Sequence, residues 1–382
     1  MIRKTDRDDN FNKASDDLTS YQVVRAGDLV VNKMKAWQGS VAVSRYSGMV
    51  SPAYFVYESL GTNHPQFMHY LLRSAPYVAA YAAASKGIRP GQWDLDPDVL
   101  RTFPIPVLSP AEQVLIADFL DRETAEIDAF IADQEELIAL LTERRAATIT
   151  HAVTKGLDPS ASMKDSGVRW WGPIPSAWAV RRIKEIVSTP ITDGPHETPE
   201  IHRDGDVVFV SAEAIGAGSL NLQRARGFIS FEDDARFARK YRPRRDDIFM
   251  VKSGATTGTV AIVDTDVPFN IWSPLAAIRC GALASPRFVM YCMKATSFRE
   301  SVELHWSFGT QQNIGMGVIG NLTIPLPSLD EQVHIAGWLD HEIAELDATI
   351  ADASEAIALS KERRAALISA AVTGKIDVGG EA

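Results

Sequence analysis

Two stretches of this chain, Ser109 to Asp158 and Ser328 to Asp377, carry apolar residues three and four positions apart in otherwise charged sequence. That spacing predicts two long helices with one apolar stripe each. The first stripe runs through Leu120, Ile127, Ile131, Ile138 and Leu141, and the second through Leu339, Ile343, Leu346, Ile350 and Ile357. The spacing is that of a coiled-coil seam, interrupted by Thr124, Gln134 and Ala353. Ser109-Pro110-Ala111-Glu112 and Ser328-Leu329-Asp330-Glu331 each read as a capping box that opens a helix. Neither helix can bury its stripe alone, so the two are expected to pack on one another.

Elsewhere the pattern shortens to strand-like runs: Asp28 to Asn32, Ser40 to Val43, Ala53 to Tyr57, Val207 to Ser211, Asp247 to Lys252 and Thr259 to Val263. Short helices are predicted from Pro65 through Leu72 and from Pro286 to Met293, with another apolar stretch over Tyr77 to Ala84. Residues 86 to 93 read as a loop and Gly156 to Gly172 as a linker. The fold class is therefore α+β: mixed α/β regions alternating with long helices.

The chain repeats itself. Glu112 and Glu331 lie 219 positions apart, and at that offset both long stretches read Glu-Gln-Val, Ile-Ala-Asp, Glu-Arg-Arg-Ala-Ala and Ala-Val-Thr. The same offset carries Asp28, Lys33, Gly39, Val41 and Ala42 onto Asp247, Lys252, Gly258, Val260 and Ala261. This predicts a globular region at 1–108, a helix at 109–157, a second globular region at 158–327, a second helix at 328–377 and a tail at 378–382. The first globular region is the shorter, with no counterpart of Asp193 to Pro199, and reads as N-terminally shortened by about fifty residues, by nature or by a misplaced start codon.

Net charge changes the picture through its distribution. The chain carries −10 overall, yet residues 111–150 hold ten acids against three bases, and residues 330–364 nine against three. Residues 221–260 hold nine bases and five acids, centred on Arg239-Lys240-Tyr241-Arg242-Pro243-Arg244-Arg245. The globular regions, rather than the helices, are thus the parts suited to phosphates. Two cysteines without metal-type spacing, Cys280 and Cys292, give neither a disulfide scaffold nor a zinc site. The charged N-terminus is not a signal peptide, and no apolar run reaches membrane-spanning length, so a cytoplasmic location is expected.

The Ser-Gly-Val-Arg-Trp-Trp-Gly-Pro-Ile-Pro-Ser-Ala-Trp segment (166–178), Asp193 to Pro199, Gly309-Thr310-Gln311-Gln312-Asn313 and Ile-Pro-Leu-Pro-Ser-Leu-Asp-Glu-Gln (324–332) together resemble the DNA-specificity subunits of type I restriction-modification systems. The resemblance covers essentially the whole chain. It implies two target-recognition domains separated by two long helices that form an antiparallel coiled coil, and a bipartite DNA target whose gap the helices set. It also implies modification subunits docked on the helices, supplying S-adenosylmethionine chemistry, and restriction subunits supplying ATP-driven steps. This chain itself would carry no cofactor, no metal and no catalytic residue. No methyltransferase motif, phosphate loop or nucleophile elbow is found; Lys252 to Thr259 lacks the Gly-Lys-Ser/Thr ending of a phosphate loop.

Candidate DNA-facing residues in the second region are Asp193, Gly194, His196, Thr198, Arg242, Arg244, Lys252, Ser253, Thr256, Thr257, Gln311, Gln312 and Asn313. Glutamine and asparagine have the donor–acceptor pair that reads adenine, and the basic residues suit phosphates. The equivalents in the first region are Lys33, Lys35, Trp37, Gln38, Lys86, Arg89 and Gln92. Plain turns, or a solvated face for the arginines, are the competing readings. Trp170, Trp171 and Trp178 read as packing, and Glu143-Arg144-Arg145 and Glu362-Arg363-Arg364 as helix stabilisation or docking. Two rival functions are a half-specific remnant and a coiled-coil scaffold that binds no DNA.

Overall fold

The computed structural model describes residues 18–87, 93–216, 218–308 and 312–379. The chain divides into two compact units, one of residues 1–137 with 352–382 and the other of residues 138–351.

In the first unit, β1 (Gln22–Val24), β2 (Leu29–Asn32), β3 (Val41–Val43), β4 (Gly48–Val50) and β5 (Tyr54–Tyr57) precede α1 (Pro65–Arg73), α2 (Ala75–Ala84), α3 (Pro97–Leu100) and α4 (Pro110–Lys155), which continues into the second unit. Strand β2 is central and antiparallel to both β3 and β5, with Val31 opposite Val41 and Phe55. Val31 and Val41 point to one core with Leu72, Tyr81, Leu95 and Leu100. Helices α1 and α2 each carry proline in the first turn, where its missing N–H costs nothing.

In the second unit, β6 (Met163–Asp165), β7 (Pro173–Pro175), β8 (Ala179–Arg182), α5 (Ile183–Ile186), β9 (Thr192–Asp193), β10 (Val207–Val210), β11 (Gly218–Ser219) and β12 (Gly227–Ile229) lead to α6 (Phe231–Phe237). Then come β13 (Ile248–Val251), β14 (Val260–Ile262), β15 (Phe269–Ile271), β16 (Leu275–Ile278), α7 (Pro286–Lys294), α8 (Thr296–Glu303), β17 (Ser307–Phe308), β18 (Gln312–Asn313), α9 (Met316–Asn321), β19 (Thr323–Leu326) and α10 (Leu329–Val372), whose C-terminal part returns to the first unit. The main sheet has the order β11-β14-β13-β16-β9. Alternation along β13 sends Ile248 and Met250 into one core and Phe249 and Val251 into another, so this sheet is covered on both faces.

The segment read as a linker, 156–172, is instead packed. It forms most of the β6–β7 hairpin region, buries Trp171 (3% exposed), and lets the Trp171 indole N–H donate to the Thr323 carbonyl at 3.0 Å. An indole whose N–H is hydrogen-bonded gains from burial without leaving a polar group unsatisfied.

Within each unit the long helices run antiparallel. In the first, Arg364 pairs with Asp128 and Lys361 with Glu135, while Gly379 lies near Leu115. In the second, Arg145 pairs with Asp347 and Gly156 lies near Glu331. Leu120, Ile127, Ile131, Leu339, Ile343 and Leu346 are buried; Ile138, Leu141, Ile350 and Ile357 are half-buried. Thr124 and Ala353 do not interrupt the stripe, for both are buried as well. The Thr124 hydroxyl escapes the cost of burial by donating to the Leu120 carbonyl one turn back, at 2.6 Å. Only the first helix makes the reciprocal capping box: Ser109 N–H donates to the Glu112 carboxylate at 2.8 Å. Glu331 instead accepts the Trp178 indole N–H at 3.0 Å, and Ser328 caps alone.

Candidate nucleic-acid interface

Three segments distant in sequence meet at one edge of the second unit. The first is β9, which places Asp193 opposite Ala276 on the edge of the sheet. Its carboxylate is fully buried and holds Lys240, Lys252 (3.3 Å) and His196 (3.1 Å). Burial alone raises a carboxyl pKa, but the two ammonium groups outweigh it and hold Asp193 below the usual range. Asp193 is therefore buried and paired within the chain, where the sequence suggested an exposed loop residue. Gly194 is also buried, and a Cβ there would meet the Ile271 carbonyl oxygen at 2.1 Å. His196 and Thr198, just beyond, are exposed.

The second segment is the turn between β13 and β14. Gly254 and Gly258 adopt φ of +107° and +91°, which glycine takes without a Cβ clash. Lys252 is mostly covered by its bond to Asp193, Ser253 is half-buried, and Thr256 stands exposed. Thr257 is turned inward, its hydroxyl donating to the Gly254 carbonyl at 2.7 Å, so it shapes the turn instead of presenting itself.

The third segment is β18. Ser253 bridges to Asn313, Gly254 N–H donates to the Gln312 carbonyl at 3.1 Å, and Ile314 N–H donates to the Lys252 carbonyl at 2.8 Å. Gln312 is half-buried and Asn313 exposed beside the turn. Gln311 lies outside the described residues, as do Arg89 and Gln92 of the first unit.

The basic run 239–245 is largely neutralised within the chain. Lys240 is spent on Asp193, Arg242 binds Asp234 at 3.1 Å, and Arg245 binds Asp266 at 2.6 Å. Arg244 and Arg239 remain exposed, without an ion pair among the described residues. Arg242 is thus a framework residue here, and its partner Asp234 also accepts from the Asn270 amide at 3.1 Å.

In the first unit the same turn recurs. Lys33 lies over the Phe55 ring at 4.6 Å, Lys35, Gln38 and Lys86 are exposed, and Leu95 N–H reaches the Lys33 carbonyl at 3.4 Å, as Ile314 does to Lys252. Here the Trp37 and Trp93 rings pack against one another, centroids 4.9 Å apart and planes tilted by 54°.

Sequence reasoning missed Gln113 and Gln332, both buried. Gln332 accepts Ser285 N–H (2.8 Å) and donates to Leu283 and Pro327 carbonyls; Gln113 does the same for His64 N–H (2.7 Å) and the Leu108 carbonyl. Their identity in both copies of Glu-Gln-Val was the available signal. No group of three or more metal-ligating side chains, and no helix long and apolar enough to cross a membrane, occurs among the described residues.

An α/β unit with a loop-built polar edge, present twice and carried on paired long helices, is the architecture of known proteins. Residues 175–355 match the type I restriction modification DNA specificity domain. The EcoBI specificity subunit of Escherichia coli is 25% identical over 280 residues, covering 72% of this chain and 58% of that one. The StySPI specificity subunit of Salmonella potsdam is 31% identical over 102 residues, 25% of this chain and 22% of that protein. A solved structure described by complex assembly and conformational transition of the type I R-M system matches with a TM-score of 0.65 at 21% identity, over 93% of this chain and 84% of that one. The HsdS subunit from Thermoanaerobacter tengcongensis matches with a TM-score of 0.54 at 17% identity, over 93% and 82%. Residues 175–355 thus match that specificity domain, and the chain is similar to type I restriction-modification specificity subunits. It spans 58% of the length of the EcoBI relative.

Proposed function

We propose that this chain is the non-catalytic DNA-recognition subunit of a type I restriction-modification complex, reading a two-part target with its two units. One observation carries the reading: Asp193, the Lys252–Thr259 turn and Gln312–Asn313 converge on one edge of the second unit, and the first unit repeats the turn. His196, Thr198, Thr256, Gln312 and Asn313 are then the groups offered to base edges, and Arg244 to a phosphate. In the first unit Lys35, Gln38 and Lys86 take those parts.

Partners are modification subunits bearing S-adenosylmethionine and restriction subunits using ATP. The long helices offer them exposed apolar residues at matching positions: Val114 and Val333 are 41% and 58% exposed, and Trp338 is 37% exposed. Val114 and Val333 occupy the same position in the two helices, and that recurrence of an exposed apolar side chain supports docking there.

The test is methylome sequencing of a host expressing the chain with its modification subunit, comparing wild type with Thr256→Ala and Asn313→Ala. The expected outcome is a bipartite methylated motif whose bases relax in one half only. An intact complex that methylates no defined sequence would instead leave a scaffold.

A further inference from the structure

We propose that Trp37 and Trp93 form an apolar reader in the first unit that contacts thymine methyl groups, so that the two units read their half-sites by different chemistry. This rests on the recognition reading above and assigns the chemistry of its first half.

The two turns align residue by residue in sequence, although the backbone differs where Lys35 (φ −131°) matches Gly254 (φ +107°). Lys33-Met34-Lys35-Ala36-Trp37-Gln38-Gly39 and Lys252-Ser253-Gly254-Ala255-Thr256-Thr257-Gly258 have equal length, and each ends on a glycine of positive φ, +78° and +91°. Each returns a backbone N–H to its lysine carbonyl, from Leu95 and from Ile314. Counting back from those two residues puts Trp93 where the second unit has Gln312, and counting along the turns puts Trp37 where it has Thr256. The second unit thus presents a hydroxyl and an amide at the two places where the first presents two indoles.

The pair is held in place. The Trp37 indole N–H donates to the Met34 carbonyl at 3.1 Å, which spends its only donor inside the turn. Trp93 precedes Asp94, which exchanges two backbone hydrogen bonds with Lys86 at 2.9 and 3.0 Å. Both rings stay partly exposed, and the side chains of Lys35 and Lys86 are exposed around them. Aromatic faces interleaved with cations suit nucleic acid. With its N–H already bound, the Trp37 ring has only apolar surface to offer, and in the major groove the apolar base feature is the thymine C5 methyl.

The full chain, in complex with its modification subunit, is used to select binders from a randomised duplex library, in parallel with the same library made with deoxyuridine in place of thymidine. For wild type the thymidine library gives a two-part motif with thymine in one half, and deoxyuridine weakens binding about fourfold per methyl contacted. Trp37→Thr with Trp93→Gln removes both the thymine preference and the deoxyuridine penalty while the other half of the motif stays; Trp37→Phe keeps them. A wild-type motif indifferent to deoxyuridine overturns the proposal, and it does so without any variant, even where a variant folds poorly. That result would instead fit an indole wedged between base pairs, whose fit does not depend on the methyl. No motif at all from wild type would bring down the recognition reading itself, which separates the two failures.

Discussion

The two units share a frame and differ in what they hang on it. Asp28 and Asp247 occupy the same position, and each accepts the N–H three residues before it, from Arg25 and Arg244, both at 2.7 Å. Tyr70 donates to Asp121 and Tyr291 to Asp340, fixing α1 and α7 each to the adjoining long helix. Gln113 and Gln332 each accept one backbone N–H and donate to the carbonyl before the long helix, and Gln332 also reaches a second carbonyl. What changes is the surround: in the second unit Asp247 also holds Arg279 through two 2.7 Å bonds, and Lys252 has a buried partner in Asp193, whereas among the described residues Lys33 has the face of Phe55. The duplicated residues are those that answer for buried polar atoms; the residues free to diverge lie at the turn that would read DNA.

The largest expected effect tests the part with no twin. Gly194→Ala drives a Cβ into the backbone at Ile271 and Trp272, 2.1 to 2.7 Å away, where neither neighbour can rotate aside. A loss of more than about 3 kcal/mol is expected, and thermal unfolding should show it in the second unit alone. A stable Gly194→Ala protein would mean that the edge around Asp193 is looser than drawn.

Next come the twins. Gln332→Ala and Gln113→Ala each orphan a buried amide and a carbonyl around the entry to a long helix, for about 2–3 kcal/mol each. Similar losses by chemical denaturation would support the shared frame. A near-neutral Gln113→Ala would break it, since both glutamines are equally buried.

A pH experiment separates the units further. His69 is pushed from its ordinary 6.5 down to about 4, first by burial and then by the Arg73 guanidinium, with Arg45 adding to it. Counting from Tyr70 and Tyr291, its counterpart is Met290, which does not titrate and is buried. A depressed folded pKa means that stability is full above 6.5 and is lost as pH falls toward 4. The first unit should lose on the order of 1–2 kcal/mol over that window after solvent screening, and His69→Met should flatten the slope. An unchanged slope in His69→Met would place the acid sensitivity elsewhere.

The long helices and the repeat were legible because periodicity and identity at a fixed offset are properties of sequence. The antiparallel pairing within each unit follows from the same stripe. The fate of the charges was not legible: Arg242 and Lys240 look like phosphate contacts in a string of bases, and only the fold brings Asp234 and Asp193 to them. Nor could Asp193 be distinguished from an exposed loop acid, since its burial depends on β9 joining the sheet edge beside β16, a pairing 83 residues distant in the chain between Asp193 and Ala276. The β6–β7 segment was misread for a related reason: glycine and proline mark turns whether or not the turn is packed under tryptophans.

The smallest expected effect is the sharpest test of the frame. At the turn before β13, Asp246 sits at φ +69°, the one non-glycine residue at positive φ among those described. The equivalent residue before β2 is Gly27, at φ +98°. A Cβ in this region crowds the following carbonyl, at a cost of roughly 1 kcal/mol that aspartate lowers by local hydrogen bonding. Glycine removes the clash but frees the unfolded chain, so the two terms oppose each other. Asp246→Gly should therefore stabilise the second unit by no more than about 0.5 kcal/mol, whereas Gly27→Val should destabilise the first by more than 1 kcal/mol, because valine has neither the hydrogen bond nor the freedom. Equal tolerance of valine at both positions would mean that the turn is set by its flanking strands and not by this dihedral, and the resemblance between the two units would then end at β2 and β13.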